Sequence, residues 1–98
     1  MKRSALTPKH QLLVCVNQRA EGDPLGAGCG ARGESVYHAL KTEVARRGVH
    51  TQVWVTRTYC LGHCPRRGAT VGCHPGAHFF IEVEPDDVQA LWQHAQLP

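Results

Sequence analysis

Residues 11–16, QLLVCV, form a nearly unbroken apolar run in which the cysteine is Cys15. A run this short and β-branched suits a central strand buried on both faces. Residues 17–34 follow, with five glycines and a proline. They are too glycine-rich for a helix and longer than most loops, as is common for a functional or a disordered connection. From Ser35 to Arg47 the spacing of Val36, Leu40 and Val44, with Tyr37 beside them, predicts a helix with one apolar face. Ser35 is the expected cap. Arg46 and Arg47 suit the carboxyl end of the helix dipole, and Gly48 suits the left-handed stop.

The β-branched alternation of Gln52–Thr56 predicts a second strand. Ala69–Cys73 and Ala77–Val83 read as two more, joined by a turn at His74-Pro75-Gly76. Phe79, Ile81 and Val83 are expected on one face. The adjacent pair Phe79 and Phe80 must point to opposite faces. A last helix is expected over Pro85–His94, with Pro85 at its first position and Asp86 and Asp87 in its first turn. The order is β-α-β followed by β-β-α. The first unit requires a parallel strand pair with a right-handed crossover, and the second an antiparallel hairpin with a covering helix. Joined, they make a thioredoxin-like α/β fold with a mixed four-stranded sheet. Residues 1–9 are expected to be a flexible arm, and residues 10–98 the single domain.

The chain has 98 residues, of which 42% are hydrophobic and 19% charged, a composition that favours a folded domain over a disordered one. The net charge of +3 is scattered rather than striped, which argues against nucleic-acid binding. No apolar run is long enough to span a bilayer, so no membrane role is expected. The amino-terminal MKRSALTPKHQ lacks the form of a signal or transit sequence, so the cytoplasm is the expected compartment. Thiols stay reduced there. Five cysteines, at 15, 29, 60, 64 and 73, then point to metal or redox work rather than to structural disulfides.

Four of these thiols are expected to converge. Parallel strands end on the same edge of a sheet, which brings Cys15 and the Cys60–Cys64 loop together from 45 positions apart, while Cys29 folds over from the long connection. Converging thiolates repel one another, and a soft metal centre resolves the cost. The Cys60–Cys64 spacing is near that of zinc sites, but the thirteen residues between Cys15 and Cys29 are not. Zinc, an iron–sulfur centre and a redox dithiol all remain open on this argument. The dithiol ranks low, because thioredoxin-type pairs are C-x-x-C and follow the first strand.

The segments HQLLVCVNQR, CGARG at Cys29, VTRTYCLGHCPRRG and CHPGAHFFIEVEPDDVQALWQH together resemble the thioredoxin-like [2Fe–2S] ferredoxins over residues 10–94. The resemblance implies one [2Fe–2S] cluster held by Cys15, Cys29, Cys60 and Cys64, with Cys15 and Cys29 on one iron and Cys60 and Cys64 on the other. It further implies single-electron exchange with a partner oxidoreductase, no catalysis of the chain's own, and a homodimer. On this reading Gly28, Gly30, Gly33 and Gly62 expose main-chain N–H groups, some of which are expected to point at sulfur, and Arg57, Arg66 and Arg67 sit near the centre. His63 points outward, His74 and His78 are surface residues, and Cys73 is a small buried strand residue.

Overall fold

In the computed structural model, which describes residues 1–63 and 65–98, the apolar run forms the inner strand β1, His10–Cys15. The chain then passes through helix α1 (Gly30–Arg47) to β2 (Val53–Thr58), β3 (Ala69–His74) and β4 (His78–Val83). A single 3-10 turn at Pro85–Asp87 leads into helix α2, Val88–His94. The sheet order is β2-β1-β3-β4. β1 runs parallel to β2, with Cys15 opposite Thr58, and antiparallel to β3. This is the mixed four-stranded sheet and element order expected from the sequence.

Both helices lie on one side of the sheet. Leu12 and Val14 of β1, Val53 of β2 and Val71 of β3 meet Val36 and Leu40 of α1 with at most 1% exposure each. Alternation turns Leu13, Trp54, Phe79 and Ile81 to the other side, where no helix covers them. Trp54, Phe79 and Ile81 are there 40%, 44% and 55% exposed. α2 closes the core with Val88, Leu91 and Trp92, and is tied to α1 by Glu43. That carboxylate sits on the inner face of α1 and accepts hydrogen bonds from Arg46, Arg47 and Gln89. It is held below the usual carboxylate range by Arg46, then Gln89 and Arg47, against a burial cost.

Three expectations need correction. α1 starts at Gly30, not Ser35, so Ser35 lies inside the helix and its hydroxyl donates to the Ala31 carbonyl. Gly33, read as a helix breaker, is a packing residue. A Cβ on Gly33 would stand 1.9 Å from the Cys15 carbonyl oxygen, so only glycine lets the helix approach the end of β1. β2 runs to Thr58, two residues further than expected, because pairing with β1 continues to Cys15. Finally, Val83 does not share a face with Phe79 and Ile81. The β3–β4 register slips between Ala69 and Val71, and Glu82 adopts φ +56°. The resulting bulge inverts the alternation and buries Val83 beneath the sheet with Phe80. The stop at Gly48, with φ +66°, is as expected.

Candidate metal centre

Cys15 closes β1, and Cys29 stands at the position just before α1. Cys29 is therefore fixed by the start of a helix, not carried on a flexible loop as the sequence suggested. The two are 1% and 2% exposed, carry free thiols, and lie close enough that Cys15 acts on the Cys29 thiol. Burial pushes the Cys29 thiol up. The neighbouring Thr70 backbone pulls it down; Cys15 raises it further, and the Arg32 charge lowers it. The connection between the two cysteines is folded tightly against itself. Gly30 donates to the Asn17 carbonyl at 3.0 Å, and a Cβ on Gly28 would stand 2.2 Å from that same oxygen.

The second cysteine segment leaves β2 at the same edge of the sheet. Cys60 is exposed, and its sulfur accepts hydrogen bonds from the Gly62 main-chain N–H at 3.3 Å and from Arg19 Nη2 at 3.4 Å. Arg19 belongs to the first connection, 41 positions away, so the two segments are joined at a sulfur. Thr70 joins them again: it is fully buried, its backbone lies beside Cys29, and its hydroxyl donates to the His63 carbonyl at 3.2 Å. Cys64, the fourth expected ligand, lies outside the described residues. Among the described residues, no three His, Cys, Asp or Glu side chains gather closely enough to grip a metal ion.

Of the four glycines, some of which were expected to serve sulfur, Gly62 is the one that does so among the described residues; Gly30 bonds to the Asn17 carbonyl and Gly33 to the Cys29 carbonyl. Arg57 is not at the centre. It pairs with Glu34 of α1 at 2.9 Å and lies over the Tyr37 ring at 3.9 Å. Arg67 makes a loose surface pair with Glu82 at 3.5 Å. Arg66 contributes its carbonyl, which accepts from Arg32. The cations beside the thiols are instead Arg19 and Arg32, which the sequence reading passed over. Arg32 falls in the CGARG segment, so its spacing from Cys29 was visible; its reach to residue 66 was not. His63 is exposed, with its ring 5.9 Å from that of Phe79. Cys73 is 5% exposed, and burial pushes its thiol up to about 11.

A shallow cleft opens beside Cys29, between residues 24–28, the first turn of α1, and Pro65 and Arg66.

With this geometry in place, the chain has the fold of the thioredoxin-like ferredoxins. It superposes on the crystal structure of the thioredoxin-like [2Fe–2S] ferredoxin from Aquifex aeolicus with a TM-score of 0.77 and 24% identity, over 94% of this chain and 92% of that one. A cysteine-to-serine variant of the same protein gives 0.77 at 22% identity, over 89% and 86%. In sequence the chain is 27% identical over 86 residues to a protein named "Ferredoxin, 2Fe-2S" from Clostridium pasteurianum, covering 88% of this chain and 83% of that protein. No family model matches the chain.

Proposed function

We propose that this protein is a small electron carrier that binds one [2Fe–2S] cluster through Cys15, Cys29, Cys60 and Cys64. The observation that carries the reading is the buried Cys15–Cys29 contact at the edge where the Cys60 segment also arrives. The match of most of the chain to [2Fe–2S] ferredoxins supports it. The donor set fits: soft thiols at the end of a strand and the start of a helix, with the Gly62 N–H and Arg19 already aimed at the Cys60 sulfur. When bound, such a cluster supplies one-electron redox chemistry. The protein's part is to hold the cysteines, to keep water from Cys15 and Cys29, and to favour negative charge at the sulfurs. The Gly62 N–H and Arg19 at Cys60, and the Arg32 charge at Cys29, do the last of these.

On this reading the chain catalyses nothing by itself and exchanges electrons with a partner oxidoreductase that docks at the cleft beside Cys29. Residues 10–98 make the working unit and residues 1–9 an arm. A reducing compartment such as the cytoplasm keeps the thiols available. No helix is long and apolar enough to cross a membrane. The uncovered sheet face, with Leu13, Trp54, Phe79 and Ile81, supports a homodimer.

Anaerobic purification from iron-replete cells tests the reading. The expected product is red-brown, carries about two irons and two sulfides per chain, and gives an EPR signal once reduced. Serine at Cys15 or Cys29 should abolish the colour or shift its spectrum. A colourless protein with stoichiometric zinc would replace this function with that of a zinc-bound interaction module.

A further inference from the structure

Arg32 stands in the first turn of α1, where unpaired N–H groups and the helix dipole disfavour a cation. No acidic residue occupies that turn to offset it. Among the described residues no carboxylate pairs with Arg32. Its guanidinium donates instead to three main-chain oxygens: Gly28 at 2.7 Å, Pro65 at 3.2 Å, and Arg66. Gly28 immediately precedes Cys29, and Pro65 immediately follows Cys64. One planar group thus spans the two segments on either side of the thiols, and its charge reaches the Cys29 sulfur. A local rule broken in this way marks a residue placed for the site rather than for the helix.

We propose that Arg32 is a positioning residue of the four-cysteine centre: a cationic clasp that holds the segment after Cys64 against the start of α1. The proposal rests on the reading of these cysteines as cluster ligands. The clasp needs several donors in one rigid plane, which guanidinium has and an ammonium lacks. Lysine keeps the charge but loses the fork, and glutamine loses both.

The test compares the wild type with Arg32→Lys and Arg32→Gln, each as cluster-loaded and as metal-free full-length chain. In the loaded proteins, cluster loss to a ferrous chelator should be about tenfold or more faster for Arg32→Gln, with Arg32→Lys between it and the wild type. The reduction potential should become more negative in Arg32→Gln and stay near the wild type in Arg32→Lys, because only glutamine removes a positive charge that favours the added electron. In the metal-free chains, alkylation of Cys29 by iodoacetamide, followed by peptide mass spectrometry, should be faster in both variants. Alkylation of Cys73, buried elsewhere in the core, should stay unchanged. Unaltered Cys29 alkylation and cluster lifetime would overturn the clasp. So would Cys29 and Cys73 accelerating in step, which marks general unfolding. A wild type that takes up no cluster would sink the proposed function, and the metal-free comparison would still decide the clasp.

Discussion

Cys73 and Cys29 are both buried thiols, and their neighbours separate them. Cys73 lies in β3 against core side chains, with burial as the sole cause of its shift. Cys29 has a thiol, the Thr70 backbone and a cation beside it. The contrast makes Cys73 a pH-dependent element of stability with a definite sign. Its folded value of about 11 lies above the ordinary 9.0. Its contribution is therefore complete below pH 9 and is lost as pH rises through about 11. A shift of about two units corresponds to about 3 kcal/mol. Denaturant unfolding of the metal-free wild type should lose that much more stability between pH 8 and pH 12 than Cys73→Ala does. Parallel pH profiles for the two would show that Cys73 ionises as freely in the folded chain as in the unfolded one. The identity of Cys73 as a core residue was legible, because a strand pattern places it. The roles of Arg19 and Arg32 were not, because a long side chain reaching across 41 or 34 positions leaves no periodicity to read.

At the scale of the element, the start of α1 decides how Cys29 is presented. Local propensity argues against a helix through Gly30 and Gly33, and tertiary packing overrides it. The same competition gives a substitution whose sign is not the one propensity suggests. Alanine at an exposed helical glycine gains up to about 1 kcal/mol. At Gly33 its Cβ would collide with the Cys15 carbonyl oxygen, which is backbone and has nowhere to go. Gly33→Ala should therefore destabilise by about 1–3 kcal/mol and weaken cluster retention, since it separates Cys15 from α1. Thermal melts and iron content check both; a more stable, fully loaded variant would refute the close approach. The order of strands and helices was legible from apolar spacing, and so was the meeting of Cys15 with Cys29. The helix start and the bulge at Glu82 were hidden, because each depends on backbone contacts with segments distant in sequence. Glu43 was hidden for the same reason: its partner Gln89 is 46 positions away. With its folded value depressed, Glu43 adds stability above the ordinary carboxylate range, and this is lost as pH falls through the folded value. Glu43→Gln should flatten the decline of melting temperature in acid; an unchanged acid limb would mean that the α1–α2 tie carries no charge-dependent stability.

Across the whole molecule, the two helices shield one side of the sheet and leave the other to solvent. The register sets Thr56, Leu13, Gly72 and Phe79 in a row across all four strands. Gly72 has no side chain, and the Phe79 ring occupies the space: a Cβ there would stand 3.0 Å from Phe79 Cε1. Trp54 and Ile81 lie on the two edge strands of the same face, so the apolar surface runs the width of the sheet. A two-layer chain of 98 residues buries its core on one side only, and a second copy placed face to face would supply the missing layer by the symmetric contact that dominates among oligomers. The cysteine edge lies at the strand ends, so such pairing leaves the cleft beside Cys29 open to a redox partner. Charge placed on the face should then separate the copies without touching the centre. Trp54→Lys combined with Ile81→Lys should sediment as a monomer at concentrations where the wild type is a dimer, with cluster content and potential unchanged. A wild type that sediments as a monomer at tens of micromolar would remove the homodimer and leave the electron-carrier reading standing on its cysteines alone.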